Sequence, residues 1–492
     1  RSATWPGALY GHQELGTCSS PAVDGARVYI VSTACEILCL DVAGQANGND
    51  FIFGPGGARE LGDTVVCSEQ PAPADNTLGW IQTGDIRKTM AILSRVFFKD
   101  PSQEMQLVGI TGTKGKTTTC YLIDSIIQAA GGVSCLMGTI ESRVGTQVWP
   151  AERTTPESDD IQRLLYHARQ MGCRRAVMEV SSHSLVLHRV YGMSFHTACF
   201  TNLSRDHLDF HREFENYFLA KYMLFDGDEV QGPKVSVVNR DDLWGERLCA
   251  HLKTPILSYG ISSSADVRPE KEDVDLNPIT LQITAPQGEL AIRSRLAGKG
   301  NFYNILAAVS VGLSMNIPGE AIEQGIAAIH GVPGRLETIA LGQPYTVIVD
   351  YAHTEAALEN LLQIARGLQP RKILTVFGCG GDRDRSKRPL MARVAANYSD
   401  LVIVTNDNPR TEKPTDIAAE IEIGFSGSPV RWTRQLDRRA AIEEAIRLAE
   451  PGDVVLIAGK GHEPYQEING KKIDFDDRVV AREMVQRRME GK

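Results

Sequence analysis

The chain has 492 residues, 42% apolar and 23% charged, with 45 glycines, ten cysteines and a formal net charge of −9. That length accommodates about three domains of roughly 150 residues each, and the composition excludes wholesale disorder. The acidic balance excludes a surface that coats nucleic acid, though not a local basic pocket for phosphates. The longest apolar runs, such as residues 454–458, are too short to cross a bilayer, so no membrane insertion is expected.

The cysteines form no C-x-x-C pair and no dense framework, which reads as reduced thiols in a cytoplasmic protein. No apolar leader follows Arg1, so no signal peptide is expected.

In chain order, residues 1–73 show strand-like alternation at 26–31 and 37–40, with Gly and Asp turns and no strand–helix alternation. Residues 74–100 read as a linker plus one amphipathic helix carrying Ile86, Met90, Leu93, Val96 and Phe97. From residue 101 the pattern turns regular. A short apolar run at 107–110 ends in a Gly/Thr turn, and a helix over 116–130 stops at Gly131-Gly132. Strands at 176–180, 198–202 and 235–239 follow, implying parallel βαβ units. The turn-rich stretch 331–335 marks a boundary. Beyond it, strands at 346–350, 373–377, 401–405 and 454–458 alternate with helices at 355–368, 390–398, 416–423 and 438–449. The expected fold class is therefore α/β. A central P-loop ATPase domain over 101–335 precedes a C-terminal, Rossmann-like doubly wound domain over 336–492, and both follow an atypical, partly β N-terminal segment.

The turn at 109–118 reads G-I-T-G-T-K-G-K-T-T between a strand and a helix. Its glycines let backbone N–H groups approach phosphate oxygens, and the helix N-terminus adds a positive dipole end. Gly112, Thr113, Lys114, Gly115, Lys116, Thr117 and Thr118 would cradle a nucleotide, with Lys116 on the β/γ-phosphates and the Thr117 hydroxyl on Mg²⁺. Ile110 stands where the common P-loop pattern has its first glycine. The longer form, G-x-T-G-T-x-G-K-T-[ST], resembles the Mur ligase family, the ATP-dependent amide-forming enzymes of peptidoglycan precursor synthesis.

Glu179 and His207 each follow a predicted strand, where α/β sites form. A carboxylate and an imidazole beside a phosphate loop suit a divalent ion, Glu as a hard oxygen ligand and His as a less usual one. Lys221 sits in an otherwise apolar helix, Y-F-L-A-K-Y-M-L-F, and by itself reads as a snorkelling lysine. Its match to the family's Y-x-x-A-K implies a carbamylated lysine that helps position Mg²⁺. Carbamylation needs a neutral amine, so a lowered pKa is implied.

The blocks E-V-S-S-H-S-L, H-R-V and F-T-N-L-S-R-D-H-L-D-F-H resemble the diaminopimelate- or lysine-adding branch of the family. The resemblance implies that Thr154, Thr155, Ser181 and Arg189 contact a UDP-muramoyl-dipeptide. Leu187 and Arg153 depart from the Gln and Asn common there. Asn301, with Asn304 nearby, matches an adenine-nucleotide contact, although each also reads as a helix cap; Gly300 replaces a usual Phe. Arg335 in P-G-R-L-E, and Asp350 and His353 in D-Y-A-H, match ATP-site positions; Glu355 replaces a common Pro.

In the C-terminal part, Asp407, Asn408 and Arg410 lie in D-N-P-R, which alone reads equally as a surface turn. An Arg is a natural two-pronged partner for a carboxylate. The resemblance implies that Arg410 holds the distal carboxylate of meso-diaminopimelate, Arg383 its α-carboxylate, and Gly459 and Glu463 its distal ammonium. It further implies a reaction through an acyl phosphate, with ATP and Mg²⁺, in a monomer. Lys116 and Lys221 would serve catalysis, and His207 would be a metal ligand rather than a general base.

The family's uridine-docking signature, S-R-x-V-x-x-G-D-x-F followed by D-G-H, is not found. Residues 1–66 instead resemble one repeat of a quinoprotein-type β-propeller, which cannot close a propeller alone. The resemblance to the Mur ligases covers about residues 75–490. Three readings follow: a diaminopimelate-adding ligase, a ligase-defective nucleotide-binding protein lacking uridine docking, or a lysine-adding or folylpolyglutamate-type relative.

Overall fold

The computed structural model describes residues 79–491 apart from 152, 272–274 and 277–278, and the backbone of four strands nearer the N-terminus. Those strands, β1 (Ala22–Asp24), β2 (Arg27–Val31), β3 (Ile37–Asp41) and β4 (Thr64–Cys67), join β5 (Gly79–Gln82) in one sheet of order β1-β2-β3-β4-β5. The first four pair antiparallel, but β4 and β5 run parallel. A parallel pair needs a crossover, which the meander of a propeller blade does not contain. The rest of the propeller-like stretch lies outside the described residues.

The expected amphipathic helix is α1 (Ile86–Phe97), capped by the Asp85 side chain on the Lys88 N–H at 3.0 Å. Its buried face is Met90, Ala91 and Ser94, whereas Val96 is 72% exposed. The expectation had put Val96 on the apolar stripe. Packing against the next domain rotates the helix away from it.

The central domain runs β6 (Gln106–Thr111), α2 (Lys116–Ala129), β7 (Ser134–Met137), β8 (Glu141–Val144), β9 (Gln147–Pro150), α3 (Ser158–Gln170), β10 (Arg175–Glu179), α4 (Ser182–Val186), β11 (Thr197–Phe200), α5 (Leu208–His211), α6 (Phe214–Tyr222), β12 (Val235–Asn239), α7 (Leu243–His251) and β13 (Ile256–Tyr259). The eight-stranded sheet has the order β13-β12-β11-β6-β10-β7-β8-β9. Its six strands from β13 to β7 are parallel, and β7-β8-β9 form an antiparallel edge. The chain leaves β6 toward β7, returns to β10, then crosses to β11. The reversal of strand order therefore falls at the carboxyl ends of β6, β10 and β11, where ligands bind in such sheets.

Apolar residues line both faces of the sheet. Val108 and Ile110 of β6 join a core with Leu122 and Ile126 of α2, while Leu107 joins the opposite core with Met137, Leu165 and Phe195. Such double cover explains why these strands read as unbroken apolar runs. A small sheet, β14 (Arg268–Pro269), β15 (Asp275–Leu276), β16 (Ile279–Ala285) and β17 (Gly288–Ser294), extends the first core, followed by α8 (Gly298–Ser314) and α9 (Gly319–Ala328).

The C-terminal sheet is β18 (Glu337–Ile339), β19 (Thr346–Asp350), β20 (Ile373–Phe377), β21 (Leu401–Val404), β22 (Arg431–Arg434) and β23 (Val454–Ala458), in the order β18-β19-β23-β20-β21-β22. Only β18 is antiparallel. Helices α10 (Glu355–Gly367), α11 (Lys387–Tyr398), α12 (Pro414–Glu422), α13 (Arg438–Leu448) and α14 (Asp477–Met489) cover it, with a hairpin of β24 (Tyr465–Ile468) and β25 (Lys471–Asp474) at the end. Alternate residues of β23 face opposite cores: Val454, Leu456 and Ala458 one, Val455 and Ile457 the other. The last strand in sequence thus sits mid-sheet, and its exit loop lies beside those of β19 and β20.

Candidate active site

The phosphate loop is wired before any ligand is considered. The Lys114 N–H donates to Asn202 Oδ1 at 2.9 Å, and the Lys114 carbonyl accepts from Asn202 Nδ2 at 3.0 Å and from Thr201 Oγ1 at 2.7 Å. Thr201 and Asn202 follow β11, so the neighbouring strand holds the loop of β6. Gly115 has φ +87°, and a Cβ there would fall 2.2 Å from Asn304 Oδ1, so only glycine fits. Neither Asn301 nor Asn304 is a cap: both are buried inside α8, and Asn304 Nδ2 donates to Asn301 Oδ1 at 3.1 Å. Asn304 sets α8 against the phosphate loop, and Asn301 lines the cleft beside it.

Two lysines converge on one carbonyl. Lys116 Nζ donates to Gly112 O at 2.9 Å and Thr113 O at 3.1 Å, and Lys221 Nζ donates to the same Gly112 O at 2.9 Å. Lys221 is only 1% exposed, and its ammonium lies 4.4 Å from the Tyr217 ring centroid. Burial, and then the charge of Lys116, push its pKa well below the ordinary lysine value. Burial likewise lowers Lys116 and Lys114. Tyr217 lies 3.2 Å from Thr113 Oγ1 through its hydroxyl, tying α6 to the loop.

Thr117 Oγ1 donates to Glu179 Oε2 at 3.1 Å, while Glu179 Oε1 accepts the Thr139 N–H at 2.7 Å. A hydroxyl and a carboxylate beside a phosphate loop are the hard oxygen donors that Mg²⁺ takes alongside nucleotide phosphates. Among the described residues no three His, Cys, Asp or Glu side chains form a ready cage. His207 lies at the mouth of the cleft with a left-handed backbone, φ +53°, and its ring is 3.6 Å from Asp206 Oδ2. Partial burial, with His183 and the charge of Lys116 nearby, outweighs Asp206 and holds its pKa down to about 4, so the imidazole is neutral near pH 7.

On the other flank, Thr154 Oγ1 accepts from Thr139 Oγ1 at 3.2 Å and lines the same cavity as Thr117 and Glu179. Thr155 and Ser181 do not line it. Thr155 Oγ1 donates to Glu179 O at 2.9 Å and accepts the Ser181 N–H at 3.1 Å, and Ser181 Oγ caps α4 through the Ser184 N–H at 3.1 Å. These hydroxyls position Glu179. Arg189 donates to Thr155 O at 3.0 Å and pairs with Glu157 at 3.0 Å; burial lowers its pKa. Arg153, the departure from Asn, pairs with the same glutamate at 3.1 Å.

A cleft of about 670 Å³ joins the two domains, lined by the phosphate loop, Thr154, Glu179, His207, Asn301, Arg335, Asp350 and His353. Arg335 Nη2 lies 3.4 Å from Thr117 Oγ1, and its guanidinium packs 4.6 Å from the Tyr351 ring centroid. Asp350 accepts backbone N–H groups of Leu336 at 2.7 Å and Ala352 at 2.8 Å, so both its oxygens brace the interdomain joint. Burial, and then Lys387, lower the His353 pKa.

The C-terminal candidates gather outside that cleft. Asn408 Nδ2 donates to Glu463 Oε2 at 2.9 Å, and the Asp407 carboxylate sits against Gly459. Arg410 donates to Glu467 at 3.1 Å and Gly381 O at 2.8 Å, and among the described residues its Nη2 meets no acceptor. Arg383 is exposed and donates to its neighbour's carbonyl at 3.1 Å; its stem and the Arg410 guanidinium both reach Gly380. Lys460 was missed: fully buried, it donates to Asn408 Oδ1 at 3.0 Å and Glu463 Oε2 at 2.9 Å. The signal was a lysine between two glycines, three residues before a glutamate.

A phosphate loop facing a doubly wound domain across a polar cleft defines a P-loop nucleotide enzyme. The Mur ligase middle domain matches residues 110–312, and the Mur ligase glutamate ligase domain matches residues 334–461. A UDP-N-acetylmuramoyl-L-alanyl-D-glutamate–2,6-diaminopimelate ligase of Solibacter usitatus (strain Ellin6076) is 47% identical over 441 residues, 90% of this chain and 89% of the relative. A solved structure of a ligase of that name is 33% identical, with a TM-score of 0.59 and 86% of both chains covered. E. coli FolC, solved with DHPP and ADP, is 18% identical at a TM-score of 0.61, covering 84% of this chain and 95% of its own; it shares the fold. The chain belongs to the Mur ligase family, whose members are ATP-dependent peptide ligases. An alignment of 441 residues also reaches well before residue 75, where the resemblance was expected to begin.

Proposed function

We propose that the chain joins meso-2,6-diaminopimelate to UDP-N-acetylmuramoyl-L-alanyl-D-glutamate, converting ATP to ADP and phosphate. The observation that carries this reading is the single cleft that brings Lys116, Glu179 and Thr154 of the central domain against Arg335 and His353 of the joint. The similarity to a ligase named for 2,6-diaminopimelate supports the choice of amino acid. The setting is the cytoplasm and the working form a monomer; among the described residues no helix is long and apolar enough to cross a membrane.

The substrate's terminal carboxylate attacks the γ-phosphorus of ATP, giving an acyl phosphate and ADP. The amine of diaminopimelate then attacks the acyl carbon, and phosphate leaves. Lys116 and the loop N–H groups hold and neutralise the phosphates, with Arg335 reaching the same place from the joint. Thr117, Glu179 and His207 would hold Mg²⁺, which when bound offsets phosphate charge. The depressed pKa of Lys221 supports a neutral amine, the form that adds CO₂ to become a carbamate. Arg410, with no acceptor on Nη2 among the described residues, receives the distal carboxylate, Arg383 the α-carboxylate, and Asp407, Asn408, Gly459 and Glu463 the distal ammonium.

Phosphate release is the test. Release that needs ATP, the UDP-muramoyl-dipeptide and meso-diaminopimelate together is expected. ATP binding without such release at millimolar substrates would overturn the reading in favour of a ligase-defective protein. Release with lysine instead would mark a lysine-adding enzyme.

A further inference from the structure

Arg438, on the first turn of α13, is fully buried and has no part in the cleft. Its Nε and Nη2 each donate to the Asp477 carboxylate at 2.7 Å, a two-pronged pair, and Asp477 is itself fully buried. Asp477 alone would satisfy the charge. The guanidinium nevertheless spends further N–H groups on two carbonyls: Nη1 donates to Asn406 O at 3.0 Å, and Nη2 to Ala458 O at 2.9 Å. Asn406 immediately precedes Asp407 of D-N-P-R. Ala458 ends β23 and immediately precedes Gly459 of G-K-G-H-E.

The two carbonyls belong to loops leaving β21 and β23, strands that are not neighbours: β20 lies between them. No ladder hydrogen bond between β21 and β23 therefore sets the distance between these loops; farther out, the Arg410 N–H donates to Glu467 O at 3.0 Å and the Arg410 carbonyl accepts the Asn469 N–H at 2.8 Å, which ties the tip of D-N-P-R to β24. Their direct contacts are the Asn408–Glu463 and Lys460–Asn408 bonds and the approach of Asp407 to Gly459, where φ is +117° and a Cβ would fall 2.5 Å from Asp407 Oδ2. Arg438 is the rigid, always-charged fork that spans the gap from beneath.

We infer that Arg438, oriented by Asp477, is a positioning residue that sets the separation of the D-N-P-R and G-K-G-H-E loops and thereby the two-ended grip on the amino-acid substrate. The inference rests on the proposed role of those loops. Sub-ångström placement of binding groups governs such sites. Arg438→Lys keeps the charge and the pair with Asp477, but a single ammonium cannot hold both carbonyls in the same plane.

The test uses steady-state kinetics of the full chain carrying Arg438→Lys and, as a milder isosteric change, Asp477→Asn. The expected result is a rise of about tenfold or more in KM for diaminopimelate in Arg438→Lys, with KM for ATP within about twofold of wild type. Asp477→Asn should fall between. A lower melting temperature with an unchanged amino-acid KM in both variants would reduce the pair to a fold-stabilising role and overturn the inference. Hydrogen exchange separates this from a failure of the proposed function. Even if the wild-type chain shows no ligation, the amides of residues 407–410 and 459–463 should exchange faster in Arg438→Lys while those of 112–118 do not. Uniform or unchanged exchange would refute the clamp.

Discussion

The phosphate loop and the amino-acid cluster hold their polar groups by different means. In the loop, backbone does most of the holding: Asn202, Thr201, Lys116 and Lys221 all bond main-chain groups of residues 112–114. In the C-terminal cluster, charged side chains hold one another, and buried ion pairs hold the loops beneath them, Lys460 with Glu463 and Arg438 with Asp477. Backbone cradles tolerate changes in neighbouring side chains but not in their glycines and lysines. Ion-pair frameworks break when either partner is removed, because an uncompensated charge remains buried.

That contrast is sharpened most by Lys116→Ala. Its ammonium is the loop's charge for phosphoryl transfer, so ligation should fall by about a thousandfold or more, measured as phosphate release, with the thermal midpoint little changed. Next, Lys221→Ala should cost about a hundredfold in rate. In the wild type, removing dissolved CO₂ should lower activity and bicarbonate should restore it. Burial depresses the Lys221 pKa and so favours the neutral amine; acidification opposes that form, and activity should fall in that direction. Insensitivity to CO₂ would count against the carbamate.

Arg410→Ala probes the other half. Losing the partner of the distal carboxylate should reduce discrimination between diaminopimelate and lysine by about ten- to a hundredfold, read from the kcat/KM ratio. Unchanged selectivity would remove Arg410 from that role.

A smaller effect is expected at the seam. His462 packs 5.2 Å from the Tyr351 ring, and burial, then Arg335, depress its pKa to about 3. Its folded pKa lies below the unfolded value near 6.5, so folding disfavours the protonated form. The chain should lose stability as pH falls below about 6.5, increasingly down to about 3. A thermal-melt series should show a shallower acid decline in His462→Gln. The smallest effect belongs to Glu355→Pro. Glu355 opens α10 behind the Thr354 cap, a position where Pro is tolerated, so the unfolding free energy from denaturant titration should change by less than about 1 kcal/mol.

The ATP half was legible because its motif is contiguous. A strand, a glycine turn and a helix bearing G-K-T need only ten residues, and Glu179 and His207 follow strands that periodicity marks. The helix register of α1 was not legible, since Ala91 and Val96 lie on opposite flanks of the apolar stripe and only a packed neighbour chooses which flank is buried. Nor was the small sheet from β14 to β17 read, although β16 and β17 are seven residues each and alternate in burial. Thr155, Ser181 and Asp350 lie in the expected neighbourhood, but the bonds they make there were not legible. Their oxygens bond backbone from other elements, and a partner distant in sequence leaves no trace in local spacing.

By itself, the sequence determined the α/β class, the phosphate loop, the candidate metal donors and the D-N-P-R cluster, because each rests on a local pattern of residue type and period. Only the tertiary structure decided that Lys116 and Lys221 share the Gly112 carbonyl, that Lys460 is buried between Asn408 and Glu463, and that Arg438 spans the exits of β21 and β23. These depend on strand order. A sheet that inserts its last strand between two earlier ones joins groups that lie dozens of residues apart, and burial then sets their charge.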